Sequence, residues 1–184
     1  HCACEQLASW AHDPVSRRLS LSVNVSPKQF QQPNFVSLVA DTLDASGADP
    51  TRLKLEITEN LLFDDLDRVT ETMAQLKARG LRLSLDDFGT GFSSLAYLRS
   101  LPVDELKIDQ SFVRELSPEG SNAAIVRTIT TLGQSLGLDV IAEGVETEST
   151  RQFLHAQGCS YYQGFYFARP MPIEELEHFL HSAG

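Results

Sequence analysis

Ten polar residues carry the chemistry this chain could perform: Asn24, Glu56, Glu59, Asp86, Asp87, Lys107, Asp109, Glu143, Glu146 and Gln163. Their leading members stand at 24, 56, 86, 107, 143 and 163, recurring at about the length of one strand-helix unit. Seven are carboxylates, and crowded acids repel one another unless a cation joins them. Oxygen donors without histidine select a hard ion, Mg²⁺ or Mn²⁺, ahead of zinc. Asp86 and Asp87 are adjacent, so their side chains can diverge to serve two cations ~3.5–4 Å apart. Lys107 among acids stays protonated. It can orient a nucleophilic water or neutralise a phosphate oxygen, its purely structural role being an ion pair with Asp109.

Other chemistries fit poorly. His1, His12 and His155 lie away from these positions, and His178 and His181, one turn apart, read as an exposed helix face rather than a zinc clip. A serine triad lacks its Gly-x-Ser-x-Gly. Gly89-Thr90-Gly91-Phe92-Ser93-Ser94 lacks the Gly-Lys-Ser/Thr ending of a phosphate loop and reads equally as a flexible lid. An enolase-like enzyme, with Lys107 as base beside bound Mg²⁺, is a further reading of the same acids.

The elements that must position these residues follow from hydropathy. Ser20 to Ser26 alternates polar and apolar, as do Leu53 to Ile57, Leu81 to Asp86, Glu105 to Asp109 and Leu138 to Ala142, with a last strand near Ser160 to Gln163. Helices are predicted over Asn34 to Ser46 (stripe Phe35, Leu38, Val39, Leu43), Leu66 to Arg79 and Ser121 to Leu136 (stripe Ile125, Ile129, Leu132, Leu136). Two more span Glu148 to Gln157 and Ile173 to His181, and a short helix is expected in the glycine-rich stretch before Glu105. Gly47, Gly80, Gly137 and Gly158 stop helices, and Thr147 caps one. At the start, Cys2, Leu7, Ala8 and Trp10 read as one packed helix.

Alternating strands and helices imply a parallel sheet, either open and doubly wound or closed as a (β/α)8 barrel. A dinucleotide fold would carry Gly-x-Gly-x-x-Gly after its first strand, whereas a barrel places polar groups at the ends of many strands on one rim. Parity agrees with the barrel. Asn24, Glu56, Asp86, Lys107 and Asp109 lie out of phase with Leu21, Val23, Leu55, Ile57, Leu83, Leu85, Leu106 and Ile108, so the polar set points inward while the apolar set packs under helices.

Composition sets the limits. At 184 residues, 42% hydrophobic and 22% charged, the chain is globular, and its net charge of −10 disfavours gripping DNA through phosphates. A nucleotide substrate would need a cation. No apolar run approaches the ~20 residues of a membrane span, and His1-Cys2-Ala3-Cys4-Glu5 is no signal peptide, so a cytoplasmic domain without membrane contact is expected. Cys2, Cys4 and Cys159 read as plain thiols.

Together, Ser-Val-Asn24-Val-Ser, Glu56-Ile-Thr-Glu59, Asp86-Asp87-Phe-Gly-Thr-Gly-Phe-Ser-Ser-Leu95, Leu-Lys107-Ile-Asp109, Ala-Glu143-Gly-Val-Glu146-Thr and Gln163-Gly-Phe-Tyr-Phe resemble the EAL-domain cyclic di-GMP phosphodiesterases. The resemblance implies a TIM-like (β/α)8 barrel that hydrolyses cyclic di-GMP to linear 5′-pGpG with two Mg²⁺ or Mn²⁺ ions. It implies that Asn24, Glu56 and Asp86 hold one ion and that Asp86, Asp87 and Glu143 hold or flank the second. Lys107 and Asp109 would position the attacking water, with Lys107, Glu143 and Asp109 forming the catalytic set. Glu146 and Gln163 would lie behind the metal-holding residues on the substrate side, and Glu59 would anchor the loop after Asp86. It also implies a homodimer, an upstream sensor or GGDEF domain that could carry a membrane anchor, and control through Ser93 to Arg99. No Glu-Ala-Leu triplet occurs in the chain. Residues 1–184 are therefore expected to be an EAL-type domain lacking its first strand-helix units, because eight units need ~225 residues or more. A non-catalytic cyclic di-GMP receptor or regulatory module is the alternative.

Overall fold

The computed structural model describes residues 1–63, 65–91, 98–117 and 120–182. Six strands form where the sequence alternates: β1 (Leu21–Val25), β2 (Leu53–Thr58), β3 (Arg82–Phe88), β4 (Glu105–Ile108), β5 (Asp139–Ala142) and β6 (Tyr161–Tyr162). All five pairings are parallel and their spatial order is their chain order. A doubly wound sheet must reverse its strand order at a switch point, and this one never does. The sheet is thus the wall of a TIM-like barrel, with β1 and β6 as its edges.

Helices cover the outer side: α1 (Cys2–Trp10), α2 (Pro27–Phe30), α3 (Phe35–Ser46), α4 (Leu66–Ala78), α5 (Gln110–Arg114), α6 (Ser121–Leu136), α7 (Glu148–Ala156) and α8 (Ile173–Ser182). The core lies between these layers, where Leu55, Ile57, Leu83, Leu85, Leu106 and Ile108 are buried with Met73, Leu76, Val126 and Leu154. Along each strand the alternate residues point the other way, into the barrel. Asn24 pairs in register with Glu56, Glu56 with Ser84, Ser84 with Glu105 and Glu105 with Asp139, so one polar row crosses five strands. Between β3 and β4 the register shifts from Leu85 to Phe88, at the level of the adjacent aspartates.

Several expectations needed correction. On α3 Phe35 and Leu43 are buried and Val39 packs against the core as predicted, but Leu38 is 51% exposed and Ala40 is buried in its stead. On α6 the buried residues are Ala123, Val126, Ile129, Thr130 and Gly133, and Ile125, Leu132 and Leu136 are only partly covered. Small residues win there because a Cβ on Gly133 would lie 2.3 Å from Val140 Cγ2, which lets α6 pack close to β5. Cys2 is exposed, and Cys4, Leu7 and Trp10 form the buried face of α1. The last strand has two residues rather than four, and α2 and α5 were not foreseen. The short helix expected before Glu105, the motif residues Phe92-Ser93-Ser94-Leu95 and most of Ser93 to Arg99 lie outside the described residues. No helix among the described residues is long and apolar enough to cross a membrane.

Candidate metal centre and catalytic cleft

Lys107 organises the site. It leaves β4 pointing inward, 3% exposed, and its Nζ donates to Glu56 Oε2 (2.8 Å) and Glu143 Oε1 (2.7 Å) and forms an ion pair with Asp86 Oδ1 (3.0 Å). Four consecutive strands thus send one charged group each to a single point. Burial disfavours the ammonium, yet its bonds to Glu143 and Glu56 overcome that cost and hold its pKa above the ordinary lysine value. Lys107 is therefore a fixed cation, which argues against a role as base. Its partners are these three acids rather than Asp109.

The acids around it are unequal. Glu143 is pushed above the ordinary carboxylate range by burial, with Lys107 pulling it down and Asp86 and Glu56 pushing it further up. Asp87 is raised by burial and by the charges of Asp86 and Asp109. Asp109 caps the N-terminus of α5. Burial raises its pKa, but donors from Ser111 and the Asp87 carboxyl outweigh this and keep it low. Asp87 has φ +54°, the one non-glycine residue with positive φ among those described. In this strained conformation its amide donates to the Asp86 carboxyl (3.1 Å).

Asp86, Asp87 and Glu143 each offer an oxygen within 4.8 Å of the others. Three hard donors so close, two of them raised in pKa by burial and by neighbouring acids, suit a dication that prefers oxygen. Glu56 lies across Lys107 from this group, and Asn24 is exposed on edge strand β1, beside Glu56 in register. Glu59 is buried at the end of β2, where its Oε2 accepts from the Gly89 amide (3.2 Å). A Cβ on Gly91 would come within 3.0 Å of Glu59 Oε1, so the loop after β3 lies directly on this carboxylate.

Glu146 and Gln163 border the other side. Glu146 faces Arg114 Nε at 3.4 Å, and Gln163 joins the β5 and β6 ends by donating to Ala142 O (2.8 Å) and accepting from Val145 N (3.0 Å). Beside Glu143 they line a cleft of about 220 Å³ with Gln110, Arg114 and Phe165. Attention to strand ends alone missed Gln110 and Arg114, as well as Lys54, Ser84 and Glu105 deeper in the barrel. The latter three share the inward parity of Glu56, Asp86 and Lys107, and that phase could have revealed them.

Residues 1–170 match the family model of the EAL domain. The chain belongs to the EAL-domain family. This EAL domain is 44% identical over 174 residues to the bifunctional diguanylate cyclase/cyclic di-GMP phosphodiesterase MucR of Pseudomonas aeruginosa, covering 95% of the chain but 25% of MucR. The solved PaMucR phosphodiesterase complex with c-di-GMP superposes with a TM-score of 0.88 at 44% identity, over 95% of this chain and 75% of that one. The EAL domain of Mycobacterium smegmatis DcpA gives a TM-score of 0.91 at 39% identity, over 98% and 81%. Klebsiella pneumoniae BlrP1, solved with manganese and cyclic di-GMP, gives 0.78 at 32%, over 90% and 42%.

Proposed function

We propose that residues 1–184 belong to one EAL-type phosphodiesterase domain that opens cyclic di-GMP to linear 5′-pGpG with two divalent cations, Mg²⁺ or Mn²⁺. The observation that carries this reading is the convergence of Asp86, Asp87 and Glu143 around the fixed ammonium of Lys107. The cyclic di-GMP complexes of MucR and BlrP1 support the substrate, and the manganese in BlrP1 supports the ion.

Asp86, Asp87 and Glu143 would hold the ions, with Glu56 and Asn24 completing the donor set. Bound there, such ions acidify water and draw charge from phosphoryl oxygens. Glu143, high in pKa, takes the proton of the attacking water, and Asp109 orients that water. The water oxygen bonds to phosphorus, the P–O3′ bond breaks and the freed 3′-oxygen takes a proton from solvent water, while the proton on Glu143 returns to solvent. Lys107 neutralises charge growing on the phosphoryl oxygens at no cost in reorientation, because its position is already set. Glu146 and Gln163 face the nucleotide from the cleft wall beside Glu143, and Glu59 steadies the loop above. The same reading includes a cytoplasmic homodimer controlled by a linked sensor or GGDEF domain.

The test is chromatographic detection of pGpG from cyclic di-GMP by the natural full-length protein, with Mg²⁺, with Mn²⁺ and with chelator. Product with either ion and none with chelator is expected. Lys107→Ala and Glu143→Gln should each lower turnover ~10²-fold or more. Tight binding with no pGpG, while MucR cleaves in parallel, would make this a receptor instead.

A further inference from the structure

We infer that Lys54 and Glu105 are a positioning pair that keeps Lys107 in the catalytic row; the inference rests on the phosphodiesterase reading above. Both lie inside the barrel, one layer beneath the cleft. Lys54 of β2 reaches across β3 to Glu105 of β4 (2.5 Å), and two residues higher Glu56 of β2 reaches across β3 to Lys107 of β4 (2.8 Å). The signs are crossed, so each strand stacks a cation and an anion on the same face, one layer apart. Ser84 of β3, in register with Glu105, completes the lower pair by donating its hydroxyl to Glu105 Oε1 (2.8 Å).

The crossing matters because Glu105 is 3% exposed and cannot turn to water. A buried carboxylate requires a partner. If Lys54 were absent, the ammonium nearest along β4 would be that of Lys107, two residues away on a stem long enough to bend down. Lys107 would then leave Glu56, Asp86 and Glu143 for a fourth carboxylate that does no chemistry. Glu105 likewise occupies Lys54 and keeps it from Glu56, the next acid along β2. Arg82, the other cation close to Glu105, is engaged by Asp139 (2.9 Å). Neither Lys54 nor Glu105 lines the cleft, so their influence passes through Lys107.

The experiment compares full-length Lys54→Met, Lys54→Arg and Lys54→Met/Glu105→Gln by steady-state kinetics with Mn²⁺, by thermal unfolding and by crystallography. Lys54→Met should lose about tenfold or more in kcat per folded molecule with KM little changed, as a misplaced charged group does. Lys54→Arg should retain kcat, and the neutral double variant should recover it, because Glu105 no longer competes for Lys107. The Lys54→Met crystal structure should show Lys107 Nζ on Glu105. Unchanged kcat in Lys54→Met, or a crystal structure with Lys107 still on Glu56 and Glu143 and Arg82 on Glu105, overturns the inference. If Lys54→Met does not fold, Lys54→Gln is read in the same way. Absence of pGpG from the wild type would defeat the phosphodiesterase reading alone, and the crystal structure would still decide the position of Lys107.

Discussion

Beside the three carboxylates that surround Lys107 stands Asp87, whose pKa is raised by burial and by the charges of Asp86 and Asp109. A carboxyl whose folded pKa is raised contributes stability below its ordinary value, and that contribution is lost as pH rises through the folded value. Above its folded pKa the ionised Asp87 therefore opposes folding. Asparagine removes the charge, can donate to Asp109 as only the protonated Asp87 carboxyl does, and tolerates positive φ. Asp87→Asn should raise Tm by ~2 °C in metal-free protein while lowering turnover ~10²-fold. Calorimetry at two pH values checks this, since the gain should shrink as the wild-type carboxyl is titrated. A variant that loses both stability and turnover would place Asp87 among ordinary structural residues.

At the scale of elements, the position of each group depends on how helices end and how closely they pack. Thr147 caps α7 by accepting from the Thr150 amide (3.2 Å), which sets the exit of the chain just after Glu143 and Glu146. The two glycines at the C-terminal end of α6 act differently. Gly133 leaves room for Val140, whereas Gly137 has open space around it but sits at φ +70° as the left-handed stop. Gly133→Ala should cost ~1–3 kcal/mol through overlap despite the better helix propensity of alanine, and Val140→Ala should partly repair it. Gly137→Ala should cost ~1 kcal/mol from backbone strain, and Val140→Ala should not relieve it. Urea unfolding of the four proteins distinguishes the two causes.

Across the whole molecule, the ends of the chain hold each other. Glu177 of α8 accepts from Gln6 Nε2 (3.0 Å) and from the indole Nε1 of Trp10 (2.8 Å), so the last helix docks on the first although β1 and β6 remain sheet edges. Trp10 is 3% exposed, and Glu177→Ala leaves its N–H buried without this partner, at a cost of ~1–3 kcal/mol. Hydrogen exchange should then quicken in α8 while the amides of β2, β3 and β4 keep their protection. Equal acceleration in both would mean that the helix contact supports the entire barrel.

Hydropathy periods and glycine stops were enough to place six strands and six of the helices, because local hydropathy and backbone freedom act within a few residues. The inward phase of the acids was legible for the same reason, and so was the family, through motifs at strand ends. Contacts between residues distant in the chain were not. Which face of α6 is buried depended on the fit of Gly133 against Val140, and the partners of Lys107 depended on how four strands align. The sequence by itself determined that acids, one lysine and an amide would gather on the inner rim of a barrel, since parity and spacing are properties of the chain. Only the tertiary structure decided that Lys107 binds three acids rather than Asp109, and that a second, crossed pair lies beneath it, because register across strands is set by packing that no local pattern encodes.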